Sequence, residues 1–206
     1  MNYCEFNKYH IFDKIASIEE TIFNRLLPAY NNIEEEAKKV EDEKLKELAK
    51  TFNPDIMDAG EAYQKAWEEG AEHYTLQHAM KTEFLLSTAT WLFHLFEKDC
   101  REMCPELYNK PEDLKSELEK IGIYCDNNSD WYKINTELRL VANTIKHGEG
   151  GSYNRLKTLK PDYFEVSTSY LTDNTIEISE EAIQIYIENM KSFWESFFDK
   201  VLPKYK

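Results

Sequence analysis

Glu137-Leu138-Arg139-Leu140-Val141-Ala142-Asn143-Thr144-Ile145-Lys146-His147-Gly148-Glu149-Gly150 is the stretch from which the rest of the chain is read. With Trp131 and Ile134 just upstream, Leu138, Val141 and Ile145 step by three and four residues, the spacing that stacks apolar side chains into one stripe of a helix. That stripe is expected to pack inward. At about 100° per residue, Arg139, Asn143, Lys146 and His147 fall on the other side of the same helix and are expected to point outward. Ser129 followed by Asp130 predicts an N-terminal cap, and Gly148 stands where a left-handed residue ends a helix. His147 is thereby placed in the last turn.

Outward from this helix the chain reads as further helices. Ile11, Ile15, Ile18, Ile22, Phe23 and Leu26 keep helical spacing up to Pro28, after a lead-in over residues 1–10 that is expected to be extended. Residues 28–54 are expected to form a charged helical arm. Its thin seam is Ile33, Ala37, Val40, Leu45 and Leu48, supported by Glu34 with Lys38 and Glu35 with Lys39. A homodimer contact is an alternative use of that arm. After a turn at Phe52-Asn53-Pro54-Asp55, a long helix is expected to run towards Cys104, with Gly60 and Gly70 as candidate bends. Tyr63, Ala66, Trp67 and Ala71 form its first seam, and Leu76, Met80, Phe84, Leu85, Thr88, Trp91, Leu92, Leu95 and Phe96 its second. Pro105 is expected to end it. A short helix opens at Pro111 and reaches Ile121-Gly122. Beyond the central stretch, Ser152 is expected to cap one turn carrying Tyr153, Asn154, Arg155 and Lys157. Phe164, Val166, Ile176 and Ile178 switch to period two around Thr172-Asp173-Asn174-Thr175 and predict a small β-hairpin. The last helix carries a stripe of Ile183, Tyr186, Ile187, Met190, Phe193, Trp194, Phe197 and Val201, and Pro203 is expected to end it. The expected fold is all-α: one domain over 1–206, an up-and-down bundle of about five to six helices with the hairpin inserted before the C-terminal helix.

Composition narrows the function classes. Of 206 residues 42% are hydrophobic and 14% aromatic, too apolar for a disordered chain, and only 6 Gly and 6 Pro leave little room for a turn-rich all-β fold. Twenty-five basic against 39 acidic residues give a net charge of −14, so nucleic acid is repelled except at a local basic site. Arg155, Lys157 and Lys160, close in sequence to Lys146 and His147, supply such a cluster. Cys4, Cys100, Cys104 and Cys125 lack a zinc spacing and are expected to be reduced, packed thiols. His73 and His78, five apart, match no metal motif, and His94 is expected at the core or its boundary. No metal and no other cofactor is expected. No signal peptide is evident, and the most apolar run, Phe84 to Phe96, is too short for a bilayer. The expected setting is the cytoplasm, without a membrane partner.

The outward residues suit one chemistry in particular. Cleavage of RNA by its own 2′-hydroxyl needs a group that accepts that proton and a fixed positive charge for the phosphorane oxygens, and histidine and arginine are the side chains suited to these tasks. A polar face ending in Lys-His-Gly also has a plainer reading, a solvated helix face with a basic end and a glycine stop.

The segment Glu137 to Gly150, followed by Leu156-Lys157-Thr158-Leu159-Lys160-Pro161-Asp162-Tyr163-Phe164, resembles the signature region of the HEPN superfamily, helical-bundle proteins many of which are RNA-cleaving toxins or host-defence ribonucleases. The resemblance extends in outline over residues 75–200 and rests on fewer than twenty positions. The family's motif is an arginine, usually followed by a polar residue, with four to six residues between the arginine and a histidine. Here seven residues separate Arg139 from His147, and Ala142 precedes Asn143. The resemblance implies a metal-independent endoribonuclease in which His147 transfers the proton, Arg139 clamps the phosphate and Asn143 orients the substrate. Lys146, Arg155 and Lys157 would bind RNA. It implies a homodimer with a composite site, and an antitoxin or other protein partner. The alternative is a catalytically inactive HEPN-like interaction module. A less favoured alternative is small-nucleotide sensing at the basic loop.

Overall fold

In a computed structural model of the chain, the described residues are 3–55, 58–104, 111–165 and 176–201. Helix α1 (Tyr3–Glu20) runs through a π turn (Thr21–Leu26) into a 3-10 turn (Leu27–Tyr30) whose first turn holds Pro28. Next come α2 (Ile33–Thr51), α3 (Ala59–Met103), α4 (Pro111–Lys120), α5 (Asp130–Tyr132) and α6 (Arg139–His147). A second π turn, Lys133–Leu138, joins α5 to α6 with helical backbone angles at both junctions, so residues 130–147 form one rod. Helix α7 (Gly151–Leu159), a 3-10 turn (Pro161–Phe164) and α8 (Glu180–Val201) complete the order.

The fold is all-α among the described residues, without a strand. Of the expected hairpin, residues 166–175 lie outside the described residues, as do Pro105, Pro203 and the side chain of Cys4. Its two inner flanks are described and are not strands. Tyr163 and Phe164 sit in the 3-10 turn that Pro161 opens, and 176–179 are irregular. One backbone bond ties them, from the N–H of Glu177 to the carbonyl of Tyr163 at 2.8 Å. The N-terminal lead-in is helical from Tyr3 rather than extended.

The core forms where α3, α8 and the 130–147 rod meet. Ile183, Tyr186, Ile187, Met190, Phe193, Trp194, Phe197 and Phe198 of α8 are all buried. Phe96 of α3 stands edge-on to Phe193 with ring centroids 5.2 Å apart, and Trp131 lies 5.6 Å from Phe193 and 6.0 Å from Phe96. Aromatic contacts of this kind add to the area each ring removes from water. Helix α1 is fastened by charge as well as by Ile11, Ile15, Ile18 and Ile22. Lys14 meets the buried Asp99, whose carboxyl burial pushes up while Lys14 opposes, and Lys191 meets Glu19.

Helix α3 has 45 residues and, at about 1.5 Å each, is roughly 67 Å long. Its first half pairs with α2 to make the arm, and the arm's buried Ile33, Ala37, Ala62 and Ala66 do not join the main core. The face that meets α2 is small: Ala62, Ala66 and Gly70, with the expected Tyr63 and Trp67 exposed instead. Small side chains let two backbones approach, and a Cβ at Gly70 would lie 2.9 Å from the Ala37 carbonyl oxygen and 3.0 Å from the Glu41 Cβ. Neither Gly60 nor Gly70 interrupts α3. In its second half Leu76, Met80 and Trp91 are exposed, while Leu86 and Phe93, absent from the expected seam, are buried. The arm's lysines pair forward along α2, Lys38 with Glu41 (2.8 Å) and Asp42 (3.1 Å) and Lys39 with Glu43 (4.0 Å), rather than back to Glu34 and Glu35. Among the described residues no helix is long and apolar enough to cross a membrane.

Two measurements follow from this packing. Helix propensity alone makes Gly70→Ala stabilising by about 1 kcal/mol, whereas overpacking against a fixed carbonyl costs about 1–3 kcal/mol. The expected net result is amide exchange in α2 faster by roughly fivefold with α8 unchanged; slower exchange in α2 would refute the close approach. Cys100 and Cys125 are buried free thiols, and burial pushes the first well above the usual thiol range and the second up to about 11. Iodoacetamide at pH 7.5 should therefore leave both unmodified until denaturant is added.

Candidate functional site

The apolar stripe read from the sequence does face inward. Trp131, Ile134, Leu138 and Val141 are buried and Ile145 is half-buried, and the buried face also takes in Glu137, Leu140, Ala142 and Thr144. The cap is as expected: Ser129 Oγ accepts the N–H of Tyr132 at 3.2 Å. At the other end the Gly148 N–H reaches the Thr144 carbonyl at 2.9 Å and its φ of +67° turns the chain out of the helix. A side chain is strained there.

With the stripe seated, the opposite ridge is accessible. Lys146 and His147 are exposed, and Arg139 and Asn143 half-buried. Across the short link Gly148–Gly150, α7 packs against α6 and exposes Arg155 and Lys157. It runs for nine residues from Gly151, capped by Gly150 rather than Ser152. Among the described residues Arg139, Asn143, Lys146, His147 and Arg155 have no ion-pair or side-chain hydrogen-bond partner. Lys157 is engaged differently. Its Nζ lies 5.6 Å from the Tyr153 ring and 5.7 Å from the Phe164 ring, and those rings meet edge-on at 4.9 Å. Residues 133–160 carry six Lys or Arg against two Glu in a chain with 25 basic and 39 acidic residues. Basic residues therefore outnumber acidic ones within this stretch, against the balance of the whole chain.

Arg139 and His147 are eight residues apart on one continuous helix, about 12 Å of axial rise. Asn143 lies midway. Ala142, which precedes Asn143, is 2% exposed and turned into the core. The guanidinium one turn earlier is the one that reaches solvent.

Sequence reasoning missed a buried polar group on the same rod. Glu137, 3% exposed, accepts from the Tyr186 hydroxyl at 3.0 Å through one oxygen and from Lys133 Nζ at 2.9 Å through the other. Lys160 Nζ stands 3.9 Å away and also over the Tyr163 ring at 4.9 Å. The Tyr163 and Tyr186 hydroxyls are 3.0 Å apart. Burial pushes both phenols above the usual tyrosine range, so both keep their protons. Since Tyr186 donates to Glu137, Tyr163 donates to Tyr186. The i,i+4 spacing of Lys133 and Glu137 and a tyrosine within the α8 stripe were the available signals.

Of the other four histidines, His10 stacks on Phe6 with ring centroids 6.3 Å apart, His73 faces Glu36 at 3.6 Å, His78 packs on Tyr74 at 4.3 Å, and His94 is on the surface 3.5 Å from Glu97, beside the buried Phe93. Among the described residues no group of three potential metal ligands occurs. A cleft of about 570 Å³ between Gly122–Trp131 and α8 lies at the far end of the rod, roughly 25 Å of helix from His147.

Comparison of the chain with family models, curated proteins and solved structures gave no match. An arginine placed at position 142 supplies a test of the geometry. Ala142→Arg forces a guanidinium into the core without a partner, and is expected to cost at least about 3 kcal/mol, a melting-point loss of roughly 6–12 °C. A melting temperature equal to wild type would show that position 142 is not turned inward.

Proposed function

We propose that the chain is a HEPN-like, metal-independent endoribonuclease of the toxin or antiviral-defence type that cuts RNA at a composite site in a homodimer. The observation that carries this reading is the ridge Arg139, Asn143, Lys146 and His147, accessible and unpartnered among the described residues of a strongly acidic chain. Arg139 of one copy holds the phosphate, and His147 of the other takes the 2′-hydroxyl proton. The oxygen attacks the adjacent phosphorus, the 5′-oxygen leaves with a proton, and the products carry a 2′,3′-cyclic phosphate and a 5′-hydroxyl. Asn143 orients the substrate, and Lys146, Arg155 and Lys157 hold the neighbouring strand. The 12 Å between Arg139 and His147 is what favours two copies over one.

A second reading is favoured by the burial of Ala142: a catalytically inactive HEPN-like module that binds a partner such as an antitoxin. Induced expression separates the two. Wild type is expected to arrest growth and release cyclic-phosphate ends from RNA in the presence of EDTA, and His147→Ala to lower cleavage by at least about a hundredfold. Equal behaviour of the two favours the interaction module. Mixing His147→Ala with Arg139→Ala should restore about a quarter of the activity, because half the dimers are mixed and each has one intact site.

A further inference from the structure

The strongest unassigned feature is the carboxylate of Glu137, and its partners are two of the six cations on the basic face. Lys133 and Lys160 approach it with their side chains 35% and 28% exposed, so both stems reach the surface while their ammonium groups are held at a carboxylate 4% exposed. Arg139, Lys146 and Arg155 have no such counter-charge among the described residues. We infer that Glu137 is a specificity-determining residue, one that keeps Lys133 and Lys160 neutralised within the fold and so limits how many phosphates the face can hold. This inference rests on the reading of the face as an RNA site.

The physical argument is one of competition. A lysine already facing a buried carboxylate releases no counterion when RNA arrives, and it gains little by exchanging that partner for a phosphate in water. Only the unpaired cations then contribute to affinity, and binding is confined to the ridge that carries His147. Tyr186, fixed by its bond from Tyr163, anchors the carboxylate from below. Asp162 at 3.8 Å from Lys160 is largely exposed and would be a weak substitute partner.

Glu137→Gln keeps the oxygen that accepts from Tyr186 and removes the charge. Its amide group then opposes the ammonium of Lys133, which turns to solvent. The experiment measures binding of a labelled 12-nucleotide oligouridine against salt, in a His147→Ala background so that the RNA stays intact. Adding Glu137→Gln should tighten binding about tenfold at 50 mM salt and steepen the logarithmic salt slope by about 0.7 for each lysine released. Adding Lys133→Ala and Lys160→Ala as well should return both values. An unchanged or shallower slope in folded Glu137→Gln protein overturns the inference. Should that variant not fold, Lys133→Ala and Lys160→Ala alone decide. Each is expected to leave the slope as it was, and a loss of about 0.7 in either would show a lysine already on phosphate. If the parent protein binds no oligouridine, the RNA reading falls and this inference with it; if it binds and the variants behave otherwise than expected, only this inference falls.

Discussion

The structure depends on the seating of one helical rod, residues 130–147, between α3 and α8. Ile134, Leu138 and Val141 are wholly buried, and Trp131 closes the aromatic contact with Phe96 and Phe193. Each such side chain removed from water stabilises the folded state by about 1.5–3 kcal/mol. A rotation of the rod by a single residue, about 100°, would expose these and drive Lys146 or Arg139 into the core. The orientation of the polar ridge is therefore a consequence of apolar packing. Gly148 then stops the rod at His147, so the ridge ends in the open beside α7 rather than continuing along the bundle.

Charge distributes itself around that rod in two ways. Elsewhere many lysines face carboxylates: Lys38, Lys39 and Lys44 on the arm, Lys81 with Glu180, Lys98 with Glu102, Lys120 with Glu117. Such exposed pairs contribute little stability individually. Their effect on the field is larger, because they leave the surface acidic on balance and make approach of a polyanion unfavourable away from residues 133–160. The ridge cations Arg139, Lys146 and Arg155 have no carboxylate partner among the described residues.

Legibility in the sequence followed the width of each apolar stripe. The rod and α8 carry narrow stripes against polar faces, and Leu138, Val141, Ile187 and Phe193 were placed correctly. The second half of α3 carries a wide apolar stripe, so spacing alone leaves its phase open: it predicts Trp91 inward and omits Phe93, whereas Trp91 is exposed and Phe93 buried. On the arm, weight by hydrophobicity selected Tyr63 and Trp67, whereas close helix contact selects Ala62, Ala66 and Gly70 for their smallness. Period-two apolar residues around 164–178 suggested strands, but Pro161 sets a 3-10 turn and Ile176 and Ile178 are buried from an irregular segment. The outward direction of Arg139, Asn143, Lys146 and His147 was readable because it is the complement of the stripe.

Glu137 was not readable, and the reason bears on what holds the basic face in shape. On the helical wheel it sits beside the stripe, with nothing local to distinguish it from a surface glutamate paired to Lys133. Its burial is decided by Tyr186, 49 residues on, and by Lys160 after α7. Hydrophobic contact alone tolerates sliding between helices, since apolar burial has no direction. The bonds from Tyr186, Lys133 and Tyr163 have direction, and together they tie the rod to α8 and to the turn that follows α7. A buried ionic group is weak evidence for stability, because an apolar replacement of the same volume is often as stable. What an apolar replacement lacks is a directed bond from α8 to the rod, beside the Lys160 that follows α7.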